Sequence, residues 1–293
     1  MLRYITIRLL QGVVVIFLVS ITSFIIMQLA PGDPVDILIG EQQITPEQIA
    51  AIERKWGLDR PWYVQYFTWL GNVFTGDFGT SVVRTGQPVR EMIFEAAPQT
   101  IKLNLLSLIV SMLIAIPIGV LAAVKRYSLF DYGSMVGATL GIALPNYWIG
   151  LMLIIVFSLK LGWLPPYGSG SWKSYILPVA VLASQEMAIL ARLSRGTTSE
   201  ALSQDYVTTA RAKGLRDRTV VTRHVVRNAL LPVVTMIGYR IAFLLSGTIV
   251  VETIFAWPGI GQLFFNSIDR MDYQVVQAIV LLLATLVVVA NLV

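Results

Sequence analysis

The chain has 293 residues, of which 56% are hydrophobic and 13% are charged, and its formal net charge is +5. A soluble domain carries about 25% charged residues, so a chain this apolar needs lipid as part of its solvent. The absence of cysteine excludes a disulfide framework and a thiolate metal site, and the single histidine, His224, excludes a His-pair metal site. We therefore predict an integral membrane protein.

Six apolar runs predict six transmembrane helices, because a bilayer core about 30 Å thick needs roughly 20 apolar residues as helix. In chain order, the fourth run contains Glu186 and the fifth contains Arg240, and the other four runs carry no charge. We predict an all-α membrane protein with spans at residues 9–30, 99–124, 132–159, 174–195, 232–255 and 273–293. Since the sequence stops inside the sixth run, we also expect a short native tail beyond residue 293.

The first span has an alternative interpretation as a secretory signal peptide, because Arg3 and Arg8 precede its apolar run. That run is longer than the apolar region of a signal peptide, about 7–15 residues, and residues 27–31 make a poor cleavage site. We therefore predict an uncleaved helix.

Lysine and arginine near the spans predict the orientation. Residues 1–8 and the loops 125–131 and 196–231 are strongly basic, whereas loops 160–173 and 256–272 are not, and acids outnumber bases in loop 31–98. We predict that the basic segments and both termini are cytoplasmic. The positive net charge then reflects topology, and no nucleic-acid partner is expected.

Two further segments carry packing signals. In the first external loop we predict a helix over residues 45–57, followed by an aromatic segment over residues 62–69 that either lies along the membrane interface or packs within a small external subdomain. In the third span, Gly133, Gly137 and Gly141 share one helix face, which favours a close approach of two helices.

The cytoplasmic loop 196–231 is built as two short helices. We predict Asp205 as the N-cap of the first, Gly214 as the residue after its end, and Asp217 as the cap of the second. Tyr206, Val207 and Ala210 share one face of the first helix, which suits a groove on a soluble partner. The alternative is an interfacial helix pair that binds anionic lipid.

A resemblance to a known family favours docking to a soluble partner over binding to anionic lipid. The run Asp205, Tyr206, Val207, Thr208, Thr209, Ala210, Arg211, Ala212, Lys213, Gly214 and Leu215, with His224 and Arg227-Asn228-Ala229 before Pro232, resembles the ATPase-coupling loop of binding-protein-dependent ABC importers. It is most similar to the permeases of the dipeptide/oligopeptide/nickel branch, first-permease-subunit type. The general importer pattern has Glu-Ala-Ala where Thr208, Thr209 and Ala210 stand here, so this chain departs from it as the peptide branch does.

Three other stretches match the same family in order and position. They are Pro31-Gly32-Asp33-Pro34, Gly76-Asp77-Phe78-Gly79, and the run from Glu252 through Trp257, Pro258 and Gly259 to Gly261. The resemblance extends from Arg8 to the C-terminal end. It implies that Glu252, Trp257, Pro258 and Gly259 form an external gate or contact a binding protein.

The resemblance implies a type I ABC importer permease fold, in the bacterial cytoplasmic (inner) membrane, that carries di- or oligopeptides. The partners it implies are the lipid bilayer, a second homologous permease subunit, two ATP-binding subunits and an external solute-binding protein. Because no Gly-x-x-x-x-Gly-Lys-Ser/Thr run occurs in the sequence, ATP and Mg²⁺ are expected on the ATPase subunits, and no catalytic residue or cofactor is predicted in this chain. Nickel, glutathione and sugar-derived solutes are alternative cargoes.

Glu186 and Arg240 interrupt apolar spans, and two interpretations stay open. They either form a structural ion pair between spans four and five, or they line the pathway and contact the charged ends of a substrate. The rival function is a secondary transporter driven by an ion gradient, which would use Glu186 but needs no coupling loop. An intramembrane protease is disfavoured because His224 lies outside the spans.

Overall fold

The computed structural model describes residues 2–29, 59–84, 86–242, 244–245 and 248–292. Within these ranges the chain forms helices and no strand, apart from an isolated bridge between Thr80 and Pro88, as an all-α protein requires. The helices are α1 (Leu2–Leu29), α2 (Trp62–Phe74), α3 (Val89–Val124), α4 (Leu129–Ala143), α5 (Asn146–Leu153), α6 (Ile176–Leu202), α7 (Asp205–Ala212), α8 (Asp217–Thr219), α9 (Val226–Ala242), α10 (Ile249–Ile254), α11 (Ile260–Asp269) and α12 (Tyr273–Leu292). The motif at residues 31–34 and the helix predicted over 45–57 lie outside the described residues.

Short segments of other helix types extend several of these elements. A π-helical segment, Ile154–Lys160, prolongs α5, and a second, Val220–Val225, joins α8 to α9. A 3₁₀ turn, Trp172–Tyr175, leads into α6. Residues 217–242 therefore form one uninterrupted helical rod that begins in the predicted coupling loop.

Five helical segments of the described chain are long and apolar enough to cross a membrane: Thr6–Leu29, Val89–Val124, Trp172–Leu202, Asp217–Ile241 and Tyr273–Leu292. The third predicted span is instead a pair of helices, α4 and α5 with its π-helical extension, bent by 102°. The bend falls at Leu144, whose extended backbone (ψ 130°) precedes Pro145. A residue before proline is disfavoured in the α-helical region, which explains why the helix stops there. Counting the bent pair as one span gives the predicted six.

The fifth predicted span, residues 232–255, differs most from the observed helices. Pro232 does not start a helix but lies inside α9, and α9 ends at Ala242. A separate short helix, α10, begins at Ile249. A helix break therefore lies within the run from which a single span was predicted. The loop and span bounds relative to a bilayer stay predictions.

One compact unit comprises Met1–Gln99 and Pro258–Val293. In it α1 packs along α12, and a Cβ added at Gly12 would lie 2.7 Å from Cγ1 of Val288. The aromatic helix α2 rests on α1 through Tyr66, which is 2% exposed and shares a 2.8 Å hydrogen bond with the hydroxyl of Ser20. Trp62, Tyr63 and Phe67 stay exposed. Tyr66 therefore packs against the first predicted span and not within a separate external subdomain, whereas contact of the other rings with the membrane interface stays a prediction.

The Gly76–Gly79 motif lies in the same unit. Both glycines have a left-handed φ, +82° and +81°, and the N–H of Gly79 donates to Oδ1 of Asp77 at 2.9 Å. Shortly after this turn, Ser81 donates a hydrogen bond to Oδ2 of Asp272, which is 2% exposed and directly precedes α12. The motif therefore leads into a buried polar link within the predicted external segments.

The other compact unit comprises Thr100–Trp257, and α6 is at its centre. Helix α6 packs against α4 and α9. It lies close to α3 at Gly119, where an added Cβ would be 2.5 Å from the carbonyl oxygen of Ala191. In the predicted glycine face of α4, a Cβ on Gly141 would meet Ser184 of α6 at 3.2 Å, whereas Gly133 and Gly137 have nothing within 4 Å. Gly141 and Gly119 are thus the glycines at which these helices come together.

Candidate functional site

Helix α7 is the short helix that the sequence predicts in the coupling loop. It begins at Asp205, and Gln204 has the extended N-cap backbone (φ −80°, ψ 150°) without a side-chain capping bond. The prediction of Asp205 as the N-cap is therefore wrong by one position. The carboxylate of Asp205 lies in the first turn, where the positive end of the helix dipole favours an anion.

Gly214 ends α7 as predicted. Its φ of +76° is a left-handed conformation that glycine adopts without a Cβ clash. Its N–H donates to the carbonyl of Arg211 at 2.9 Å, and the N–H of Leu215 donates to the carbonyl of Ala210 at 3.4 Å. These two bonds form a Schellman motif, which satisfies the last carbonyl groups of the helix.

Val207 and Ala210, which the sequence places on a partner-docking face, point inward instead. Val207 is 0% exposed and Ala210 is 6% exposed. They pack in a cluster that we call the coupling core, composed of Ala201, Val207, Ala210, Val220, Val225 and Ala229. The two side chains fasten α7 to its own chain, so the prediction that they enter a partner's groove is wrong. Tyr206, at 38% exposure, stays accessible.

The opposite side of α7 is the face that a partner can reach. Residues on a helix are about 100° apart, so Asp205, Thr208, Thr209 and Ala212 lie opposite the coupling core, and all four are exposed. These side chains are small or polar. We call this set the outward face of α7.

An exposed ion pair links α7 to the rod that follows. Nε of Arg211 donates to Oδ1 of Asp217 at 3.1 Å, and the two side chains are 52% and 80% exposed. Pairs this exposed contribute at most about 1 kcal/mol. Asp217 was predicted as the N-cap of the second helix, but Arg216 is at that position and Asp217 is the first helical residue.

Glu186 of α6 and Arg240 of α9 face each other. Nε of Arg240 and Oε2 of Glu186 are 3.1 Å apart, yet their orientation does not form a hydrogen bond. The side chains are 30% exposed for Arg240 and 23% for Glu186. The structural ion pair that the sequence suggested is therefore present. The other interpretation, contact with substrate, stays a prediction.

A cavity of about 340 Å³ adjoins this ion pair. Besides Glu186 and Arg240, its polar lining comprises Asn104, Ser107, Gln185, Tyr239 and Thr248. The cavity thus combines a cation, an anion and several uncharged polar groups inside segments that are otherwise apolar. Among the described residues, no group of three or more His, Cys, Asp and Glu side chains is placed to hold a metal ion.

Glu252 and Trp257 are buried, although the sequence assigns them to an external gate or a binding-protein contact. Glu252 is 0% exposed, and its Oε1 accepts hydrogen bonds from the hydroxyls of Thr100 and Thr248, each at 2.8 Å. Trp257 is also 0% exposed and packs edge-on against Tyr175. Neither side chain offers a surface to a binding protein, which corrects that part of the prediction.

Pro258 and Gly259, the other two residues of that assignment, differ from each other. Pro258 is exposed, whereas Gly259 is buried and is the N-cap residue of α11. A contact with a binding protein therefore stays a prediction for Pro258. The gate role stays a prediction for the whole segment.

The sequence did not predict a second ion pair, between the buried Asp131 and the partly exposed Arg195. Nε and Nη2 of Arg195 donate to the two carboxylate oxygens of Asp131 at 2.5 and 2.7 Å, which joins α4 to α6. The backbone N–H of Tyr127 donates to the same carboxylate at 3.0 Å. Each charge lies at the end of an apolar run, where solvated charges are common. The one sequence signal for the pair is that both residues are predicted at the cytoplasmic ends of their spans.

Two family models match the chain. The model of the inner membrane component of binding-protein-dependent transport systems matches residues 115–293, and the model of the N-terminal part of this membrane component matches residues 1–104. The chain belongs to this permease family. The resemblance drawn from the coupling loop is thereby confirmed, and the helices agree with the type I ABC importer permease fold.

The relatives of this permease are similar over its whole length. The oligopeptide transport system permease protein AppB of Bacillus subtilis (strain 168) is 44% identical over 303 residues, covering 100% of this chain and 96% of the relative. The glutathione transport system permease proteins GsiC of Salmonella choleraesuis (strain SC-B67) and Escherichia coli (strain K12) are 41% and 40% identical, covering 100% of this chain and 95% of each relative. The permease is accordingly a multi-pass membrane protein of an inner-membrane transport family.

Proposed function

We propose that this permease is one of two pore-forming subunits of an ATP-driven importer for short peptides. The similar permeases belong to transport systems named for oligopeptides and for glutathione, and both kinds of cargo are built from amino acids. Because the sequence has no P-loop, ATP and Mg²⁺ bind to separate ATPase subunits. This chain supplies the pathway and catalyses no reaction of its own.

The preformed helix α7 is the observation that carries the proposal. The coupling core fixes its inner side, the Schellman motif closes its end, and its outward face remains accessible. A short helix that is packed against its own chain and directly precedes the rod 217–242 is suited to receive movement from a soluble ATPase and pass it to α9. An interfacial lipid-binding helix would instead place a broad apolar face against the membrane, and the apolar face of α7 is already occupied.

The complex then contains a second homologous permease, two ATPase subunits and an external solute-binding protein. The basic loops favour an orientation in which both termini and α7 are on the cytoplasmic side. Pro258 and the neighbouring gate segment lie on the external side, where the binding protein delivers its cargo.

The ion pair disfavours the gradient-driven alternative. A proton- or sodium-coupled transporter would use Glu186 as an acid that takes up and releases its cation. In the structure this carboxylate already has Arg240 as its counter-ion, at 3.1 Å. The main support for that alternative is thereby removed.

Purification of the tagged chain with its natural partners tests the proposal. We expect an ATPase subunit to accompany the wild-type chain from membranes in mild detergent, and ATP hydrolysis to depend on the external binding protein. Ala212→Glu adds a bulky charge to the outward face of α7 and is expected to release the ATPase or uncouple its hydrolysis. Ala212→Ser is the matched control, because it keeps the face small and should behave as the wild type.

Ala210→Glu separates docking from folding. It introduces a charge into the coupling core, so it is expected to lower the yield and stability of the chain itself. If the wild-type chain purifies without an ATPase and Ala212→Glu changes nothing, the proposal fails, and uptake driven by a proton or sodium gradient should then be measured.

A further inference from the structure

The cavity beside Glu186 and Arg240 has the features of a ligand site, and the proposed coupling through α7 does not involve it. It lies within the unit Thr100–Trp257 and is remote in sequence from α7, since its lining comes from α3, α6, α9 and the segment between α9 and α10. Its volume, about 340 Å³, is at the lower end of the range for small-ligand pockets, roughly 300–1,000 Å³. It also holds one positive and one negative side chain.

The Glu186–Arg240 pair makes fewer hydrogen bonds than the Asp131–Arg195 pair of the same unit. Asp131 and Arg195 share two short hydrogen bonds, and Asp131 is 1% exposed. Glu186 and Arg240 are within 3.1 Å but are not hydrogen-bonded, and both are partly open to the cavity. A charge buried without a partner costs several kcal/mol, so these two side chains neutralise each other while the cavity contains no charged ligand.

A zwitterion can replace this pairing without leaving any charge uncompensated. Its ammonium group would take Arg240's place beside Glu186, and its carboxylate would take Glu186's place beside Arg240. A planar guanidinium suits a carboxylate because it donates two parallel hydrogen bonds. A ligand with only one charge would leave one protein charge unpaired.

The helix break next to the pair contributes residues to the wall of the cavity. Helix α9 ends at Ala242, two residues after Arg240, and α10 begins at Ile249. Leu244 and Thr248, from the segment between them, both line the cavity. Non-helical backbone at membrane depth is tolerated where it lines a water-filled cavity or is buried in protein. Broken helices of this kind also form the substrate sites of other membrane transporters.

From these observations we propose that this cavity binds the two charged ends of a di- or tripeptide, with Glu186 receiving the ammonium group and Arg240 the carboxylate. The proposal rests on the proposed peptide-import function and assigns a site within this one subunit. An extended dipeptide spans about 7 Å, so the ion pair must open to admit it. The cavity volume limits the ligand to a few residues.

The test uses the complete importer in proteoliposomes, with its binding protein on the external side. The probes are dialanine, N-acetyl-dialanine and dialanine amide, and the readout is ATP-dependent uptake. For each probe the uptake by a variant is divided by the uptake by the wild type, which cancels the preference of the binding protein.

Glu186→Gln is expected to lower the uptake of dialanine and of dialanine amide about ten- to a hundredfold, the range for a lost hydrogen bond to a charged group, and to change uptake of the N-acetyl probe less than about twofold. Arg240→Gln is expected to affect the probes that have a free carboxylate and to spare the amide. Glu95→Gln on α3 and Arg192→Gln on α6 are matched controls, because both side chains are exposed and outside the cavity. Assembly and basal ATP hydrolysis are measured for every variant.

The double variant Glu186→Gln with Arg240→Gln decides the case if the wild type does not import the blocked probes, because it removes both charges and leaves neither uncompensated. A purely structural pair would regain wild-type dialanine uptake in this variant, and that result would overturn the inference. Continued loss of uptake in an assembled complex with normal basal hydrolysis would support it. Equal losses for all three probes also count against it. If the wild type itself shows no ATP-dependent uptake, the proposed function fails instead.

Discussion

Two ion pairs join helix α6 to its neighbours, and they differ in kind. Asp131 and Arg195 link α4 to α6 through two hydrogen bonds of 2.5 and 2.7 Å, with a third from the backbone of Tyr127 at 3.0 Å. Glu186 and Arg240 link α6 to α9 at 3.1 Å, without a hydrogen bond and beside a cavity. The first pair has the geometry of a structural link between two helices. The second is the pair for which we propose exchange with the charged ends of a ligand. Opposite charges in a membrane protein are therefore better judged by their hydrogen bonds than by their separation.

The tight pair gives the largest expected effect. Asp131→Asn removes the counter-charge of Arg195 and is expected to destabilise the protein by about 3 kcal/mol, because removal of one partner leaves the other charge uncompensated. The measurement is the thermal unfolding midpoint of the purified complex in mild detergent. Arg195→Lys is the control: it keeps the charge but loses the two-pronged geometry, so its loss should be intermediate. An unfolding midpoint unchanged in Asp131→Asn would show that the pair does not stabilise the contact between α4 and α6.

The packing next to the tight pair gives the second-largest effect. A Cβ added at Gly119 would lie 2.5 Å from the carbonyl oxygen of Ala191 and 2.7 Å from Cβ of Ser194, next to Arg195. Gly119→Ala is therefore expected to destabilise the protein by about 1–3 kcal/mol, as overpacking does. Gly137→Ala is the matched control, since nothing lies within 4 Å of an added Cβ there. Equal unfolding midpoints for the two variants would contradict the close approach of α3 and α6.

The loose pair is expected to affect stability less than transport. Glu186→Gln should lower the free energy of unfolding by about 1–2 kcal/mol, less than Asp131→Asn does, because Arg240 loses its counter-ion but stays 30% exposed beside the polar cavity. Its unfolding midpoint is measured beside that of Asp131→Asn under the same conditions. A loss as large as that of Asp131→Asn would remove the distinction between the two pairs.

The smallest effect is expected for the exposed pair between α7 and α8. Arg211→Gln should change the free energy of unfolding by about 0.5 kcal/mol or less, and the difference from the wild type should shrink as salt is added. Unfolding midpoints at low and high salt measure this. A difference that is large or independent of salt would place Arg211 in a buried network that the structure does not show.

Local patterns made most of the fold predictable. Apolar runs of about 20 residues located the membrane helices, and Gly214 located the end of α7, because both signals act within a few residues. Pro145 is a local signal for the bend at Leu144. The break after Ala242 is accompanied only by Arg240 and the weakly polar residues Ser246-Gly247-Thr248, which also occur within continuous membrane helices. Helix breaks of the second type depend on tertiary packing, which a hydropathy pattern does not contain.

The candidate sites were less predictable, because they depend on which way a side chain points. Val207 and Ala210 form an apolar pair at helical spacing, and such a pair fits a partner's groove as well as the chain's own core. Glu186 and Arg240 were conspicuous because each stands alone in an apolar run. Asp131 and Arg195 were not conspicuous in the sequence, because each lies at the boundary between a predicted span and a predicted loop, where charged residues are expected.

The π-helical segment Val220–Val225 sets the rotational register of the rod that carries Arg240. Val220 and Val225 both pack in the coupling core although they are five residues apart, a spacing that would put them about 140° apart around an α-helix. The wider π-helical turn brings them onto one side. If the same six residues were wound as an α-helix instead, everything beyond them would be rotated by about 100°, which would carry Arg240 away from Glu186. We therefore expect the wider turn itself, rather than any one side chain in it, to set the contact between Arg240 and Glu186.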